Sequence, residues 1–303
     1  MRTFPSVPYY MVVDDWKSAT RLRINKVPFI YINKNEFNYL NSLLEVDKEF
    51  RKGFWVNTTA RFLALNFAAD RISGPILHIE SDVILGSNFP FSKFETLDAE
   101  VAFPLESEDK GCASVLFFSD SSKLKIFCQE LLLHVRNFPK TTDMLFLGTL
   151  TKKSKLKIHI LPSKFDDAKM TFDGFFDSTS WGQYFSGVDP RNNNGYVRYR
   201  YLNSQHTTKV AGYSYKLCDG VISVTHGLTS FDLFALHVHS KNRSLIRLSS
   251  RSKEFERIRK LHLSNKEAEF KFFIFARIAV SRCIKRISRF IFRSLRLRKV
   301  IKK

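Results

Sequence analysis

Apolar residues along this chain fall into short runs closed by turn formers, and the runs alternate with stretches of helical spacing. Tyr9-Tyr10-Met11-Val12-Val13 reads as a first strand ending in Asp14-Asp15, and Val27 to Ile32 as a second. The short polar, basic stretch between them suits a helix. Phe54, Phe62, Leu65 and Ala69 recur at helical spacing, so residues 54–69 are expected to form a helix. An apolar run over 76–85 follows, bounded by Gly74-Pro75 and Gly86-Ser87-Asn88, and reads as a buried strand. Further strands are expected at Val101–Phe103, Ala113–Phe118, Lys157–Leu161 and Leu233–Val238. A helix is expected from Ser121 to about Val135, and Thr141-Thr142-Asp143 caps another that runs through Leu150. Residues 171–215 show little periodicity and are rich in Gly, Asn, Asp and aromatics, the pattern of a long irregular segment, which is commonly functional. Strand–helix–strand order predicts an α/β fold built on a parallel sheet.

Two carboxylates interrupt the run 76–85. Glu80 and Asp82 are one residue apart, so on an extended chain they point to the same side. A buried carboxylate stays ionised only beside a cation, a metal or several hydrogen bonds. Paired hard oxygen ligands suit Mg²⁺ or Mn²⁺ carrying a diphosphate. The plain alternative is a strand end that meets solvent, with both carboxylates hydrated. Near the end of the apolar pattern, His237 and His239 alternate on a strand and face one side, with Val238 on the other. Imidazole also ligates Mn²⁺. Here the alternative is a half-buried strand with two hydrogen-bonded histidines.

Three blocks in this order, Glu80-Ser81-Asp82, Phe176 to Pro190, and Leu236-His237-Val238-His239-Ser240-Lys241-Asn242, resemble bacterial nucleotide-sugar-dependent glycosyltransferases of the GT-A fold. The resemblance covers roughly residues 9–245. It implies a GT-A-like, single Rossmann-type mixed sheet flanked by helices. It also implies roles for individual residues. Asp82 would bind the metal directly, and Glu80 would touch the ribose or reach the metal through water. A histidine completes the metal site, His239 for preference because it lies nearest the following loop, and otherwise His237. Lys241 is placed for a diphosphate oxygen, and Arg61 for the donor phosphate or base. Asp14-Asp15 would lie by the nucleoside, the alternative being a solvated strand end. In the middle block Asp177, Gln183 and Asp189 would hydrogen-bond sugar hydroxyls, and Trp181 would stack on a pyranose face. Asp177 and Asp189 are the candidate bases should the reaction invert. In the alternative reading, Asp and Gly in this block serve turn chemistry alone.

Charge changes the picture at the C-terminus. Of the net +20, residues 251–303 carry +14, with 18 Lys and Arg against 4 Asp and Glu. There Val280, Ile284, Ile287, Ile291 and Leu295 share one helical stripe, while Arg282, Lys285, Arg286, Arg289, Arg293 and Arg296 lie opposite. This reads as a basic amphipathic helical tail at an anionic membrane surface, following a catalytic domain over 1–250. Because the basic excess is concentrated in that tail, no nucleic-acid partner is expected. Cys112, Cys128, Cys218 and Cys283 form no CxxC pair, which fits a reducing compartment. No signal peptide is expected over residues 1–10. The whole reading is a Mn²⁺- or Mg²⁺-dependent glycosyltransferase on the cytoplasmic face of the cell membrane, using a nucleotide-sugar donor and a glycan or glycolipid acceptor. A nucleotidyltransferase of similar fold, or an inactive membrane-bound scaffold, are the rivals. The first of these would need a Gly-rich basic loop after the first strand, and none is visible.

Overall fold

The computed structural model describes residues 7–168, 171–182 and 213–238. Gln183, Asp189, His239, Lys241 and the tail over 251–303 lie outside the described residues. The chain divides into two compact units. As described, the first holds residues 7–168, 171–178 and 229–237, and the second holds 179–182, 213–228 and 238.

The first unit opens with β1 (Met11–Val13), α1 (Trp16–Ile24) and β2 (Phe29–Tyr31), and β2 returns parallel to β1. Asp15 caps α1 by accepting the Ser18 N–H at 2.8 Å. Next, α2 (Lys34–Ser42) starts with a reciprocal cap. The Asn33 side chain accepts from the Asn35 and Glu36 amides, and the Glu36 carboxylate accepts the Asn33 N–H. The chain enters α3 (Phe54–Ala69) through Gly53, whose φ of 69° favours glycine. β3 (Ile76–Ile79), β4 (Val83–Leu85) and α4 (Phe91–Glu95) follow. Then come β5 (Val101–Ser107), β6 (Lys110–Gly111) and β7 (Val115–Phe118). α5 (Ser121–Asn137) is capped by Asp120, one residue before the expected start, and α6 (Asp143–Lys153) by Thr142, as expected. The unit continues through β8 (Ile158–Leu161) and β9 (Gly174–Phe176). In the second unit β10 (Ser214–Cys218) and β11 (Val221–His226) form a hairpin. Asp219 and Gly220 both take positive φ, as a two-residue turn of this twist requires. β12 (Thr229–His237) belongs to the first unit.

The fold is mixed α/β, but the expected single sheet is divided. In the first unit β3 pairs antiparallel with β7, β7 antiparallel with β5, and β5 parallel with β8. β1 and β2 form a separate parallel pair, while β12 pairs antiparallel with β4 and parallel with β9. The expected strand 76–85 is therefore two strands in two sheets. The break falls at Glu80-Ser81-Asp82, where the Val83 N–H bonds to the Glu80 carbonyl in a turn. Part of the irregular stretch over 171–215 is likewise strand, since β9 lies beside β12 with all three of its residues buried.

Alternation on the central strands builds two cores. Leu116 and Phe118 of β7, with Val101 and Phe103 of β5, face a core filled by Phe62 of α3, Phe127 of α5 and Phe146 of α6. Val115, Phe117 and Ala102 face a second core with Phe94, Phe172, Phe176 and Phe234. A sheet covered on both faces needs apolar residues at every position, which is why β7 reads as an unbroken apolar run. The many phenylalanines pack edge to face, as in Phe62–Phe127 at 5.3 Å and Phe127–Phe146 at 5.1 Å.

Candidate metal centre and adjoining cleft

The turn that splits β3 from β4 carries the two carboxylates, and it meets the last residue of β12. His237 Nε2 lies 3.2 Å from Glu80 Oε2 and 3.6 Å from Asp82 Oδ1. One ligand atom from each of Glu80, Asp82 and His237 falls within 4.8 Å of the others. The carboxylates do not share a strand face, as extended geometry would give them. They converge because antiparallel pairing sets His237 opposite Val83, the residue after Asp82.

The surroundings of His237 define its ring. Nδ1 lies 2.9 Å from the Ser178 carbonyl, which can only accept, so Nδ1 carries a hydrogen. Nε2 is left to face the carboxylates, the orientation that a metal-binding histidine needs. The Cys112 thiol lies 3.4 Å from Nδ1 and 3.3 Å from the Ser178 carbonyl. Burial disfavours a charge on His237, but Cys112, Glu80 and Asp82 outweigh it and hold the ring's pKa well above the ordinary value. A proton and a divalent cation therefore compete for Nε2.

Behind Glu80 lies a buried charge clamp. Arg61 Nη1 pairs with Glu80 Oε1, and Arg61 Nη2 lies 2.6 Å from Asp143 Oδ2. Asp143 is 4% exposed at the start of α6. Burial raises its carboxyl pKa, which the Arg61 charge only partly offsets. Arg61 is thus committed to two carboxylates instead of standing open for donor phosphate, as expected from sequence. With His237 neutral, the side chains of Glu80, Asp82, Asp143 and Arg61 sum to two negative charges, which a divalent cation would balance. Two carboxylates and an imidazole are a donor set that fits Mn²⁺ or Mg²⁺.

Beside the clamp opens a cleft of about 430 Å³. Val12 and Val13 of β1 and Asp14 just after it line one side, and Asn57, Arg61 and Leu65 of α3 another, with His78 of β3. Asp14 is exposed at the cleft. His78 Nε2 and Arg61 Nε are buried without a protein partner. Burial, then the Arg61 charge, lower the His78 pKa to about 4, so its ring is neutral at physiological pH and free to accept or donate one hydrogen bond.

Asp177 and Trp181 stand elsewhere than expected. Asp177 is 1% exposed, and its carboxylate accepts the His237 backbone N–H at 3.2 Å, so it braces the histidine strand. Trp181 is buried, with its ring 6.1 Å from Tyr213 and 6.2 Å from Tyr215 within the second unit, and offers no open stacking face. Asp143, Cys112 and the Ser178 carbonyl are site residues that the sequence reading did not single out. Only Asp143 left a signal, as an acid directly after its helix cap and before the apolar run Met144-Leu145-Phe146-Leu147.

The chain matches no protein-family model, no curated protein and no solved structure.

Proposed function

We propose that this chain is a metal-dependent glycosyltransferase of the GT-A type, moving a sugar from a nucleotide-sugar donor to a glycan or glycolipid hydroxyl. One observation carries the reading. The acidic pair Glu80/Asp82 and His237, far apart in sequence, meet at one point, and Arg61, which pairs with Glu80, also lines a cleft of about 430 Å³.

In this reading Asp82, Glu80 and His237 hold Mn²⁺ or Mg²⁺, and the cleft takes the nucleoside. The bound cation would offset negative charge gathering on the nucleoside diphosphate as the glycosidic bond breaks. The protein's own contribution is orientation. Ser178 fixes the His237 tautomer, Asp177 fixes the backbone of β12, and Arg61 with Asp143 fixes Glu80. Asp14 and His78 supply hydrogen-bonding groups for a base or ribose, and Lys241 a cation for the diphosphate. With Asp177 engaged as a brace, Asp189 is the remaining expected carboxylate to serve an inverting reaction. Among the described residues no helix is long and apolar enough to cross a membrane. Attachment to a cytoplasmic leaflet is proposed to be peripheral, through the basic tail.

The test is a thermal-shift screen of nucleotide sugars with and without Mn²⁺, followed by donor hydrolysis. A nucleotide sugar should raise the Tm only with the metal, and the same donor should then be hydrolysed slowly. Stabilisation by nucleoside triphosphates with pyrophosphate release would place the chain among nucleotidyltransferases instead. No response to any nucleotide would leave the scaffold reading.

A further inference from the structure

The first helix has an outward face that the core does not use. None of the residues of α1 is buried. Ser18, Ala19 and Leu22 are half-buried and form its inner side. Trp16, Thr20 and Ile24 recur every four residues and share the opposite stripe, where Trp16 is 65% exposed and Ile24 74%. The Thr20 hydroxyl donates to the Trp16 carbonyl at 2.8 Å, so this residue also turns a methyl group outward. Lys17 and Arg21 flank the stripe on one side and Arg23 on the other, all exposed. Among the described residues no ion pair engages these three cations. Asp15 at the start and the Asn25 side chain at the end cap the helix locally, so its outer face plays no part in holding it together.

We infer that α1 docks the first unit on an anionic lipid surface, with Trp16 and Ile24 entering the headgroup region and Lys17, Arg21 and Arg23 pairing with lipid phosphates. The occupant follows from the combination. A Trp–Ile stripe gains free energy in an apolar layer, while the three cations around it, Lys17 lying 5.9 Å from the Trp16 ring centroid and none in an ion pair among the described residues, are matched by negative charge spread over a plane. An anionic leaflet supplies both, because indole rings favour the interface and basic side chains reach up to the headgroups. A glycan would use the indole but not the ring of cations. Docking here also has a geometric consequence, which rests on the glycosyltransferase reading. α1 begins two residues after Asp14, which lines the cleft, so docking would hold the proposed nucleoside cleft close to the leaflet.

The full-length chain is tested with vesicles of phosphatidylcholine alone and of phosphatidylcholine with phosphatidylglycerol. Trp55 and Trp181 also fluoresce, so Trp16 is read as the difference between the native chain and Trp16→Phe. On anionic vesicles that difference spectrum should shift to the blue and be quenched by brominated lipid, with neither change on neutral vesicles. Because each cation near an anionic leaflet is worth about fivefold in partition, Lys17→Gln/Arg21→Gln/Arg23→Gln should weaken the Trp16 response by roughly a hundredfold. Ile24→Ala should weaken it several-fold. If the chain binds anionic vesicles while the Trp16 emission stays unchanged, other segments hold it and α1 does not dock. Perturbation of Trp16 by soluble oligosaccharide but not by vesicles would also overturn the proposal, in favour of a sugar site. Donor hydrolysis in detergent-free buffer, measured on the same variants, should be unaltered. Loss of Trp16 insertion therefore counts against docking alone, and loss of hydrolysis in the native chain against the catalytic reading alone.

Discussion

Arg61→Met tests whether the charge clamp behind Glu80 is a buried network. Arg61 bridges Glu80 and Asp143, whose side chains are 12% and 5% exposed, while the Arg61 side chain is 27% exposed. Methionine preserves most of the stem volume and removes only the charge. Glu80 keeps His237 and Asp143 keeps the Met144 N–H, but both carboxylates lose Arg61. Removing one partner from a buried ion pair typically costs 3–5 kcal/mol; with Arg61 partly solvated, about 3 kcal/mol is the working figure. For a domain of this size that corresponds to a fall in Tm of roughly 6–12 °C. The decisive comparison is Arg61→Met/Asp143→Leu. It removes the orphaned carboxylate along with the arginine, so it should be more stable than Arg61→Met alone. Thermal unfolding of native protein, both single variants and the double variant completes the cycle. A loss below about 1 kcal/mol for Arg61→Met, or strict additivity in the double variant, would refute the reasoning, because it would mean the clamp is hydrated.

Asp82→Asn should leave the Tm within a degree or two, yet lower metal-dependent donor turnover by at least about a hundredfold, since a direct ligand is lost. Full activity in that variant, or in excess chelator, would contradict the metal site. Mn²⁺ affinity should weaken as pH falls through the raised pKa of His237, by about tenfold per unit below it, because a proton then occupies Nε2. Calorimetric titration across pH 6–9 measures this, and His237→Gln should flatten the dependence. The His78 pKa is depressed, so the unfolded chain binds the extra proton between pH 6.5 and about 4, and folding stability should decline as pH falls through that window. Comparing Tm against pH for native protein and His78→Gln isolates the effect. Gly148→Ala should destabilise by about 1–3 kcal/mol in chemical denaturation, because the new methyl would overlap the backbone of Asp109 and Lys110 beneath α6.

Most of the local architecture follows from short-range patterns along the chain. The helix over 54–69, the Thr142 cap of α6 and the apolar runs of β3, β7 and β12 follow from periodicity, capping and turn chemistry, all of which act within a few residues. The sequence also marked Glu80 and Asp82, since acids in an apolar run conflict with their surroundings wherever that run folds. Tertiary structure decided the rest. The run 76–85 has the composition of one strand, and only the competing partners β7 and β12 divide it between two sheets. Periodicity put His237 and His239 on one face, but only the register of β12 against β4 brings His237 to the carboxylates. Arg61 looked available for a phosphate, because nothing local announces Asp143, which is 82 residues away. Asp177 and Trp181 had the chemistry of sugar-binding residues, and burial gave them other work. A side chain's type is written in the chain, but whether its polar atoms are already satisfied depends on contacts distant in sequence.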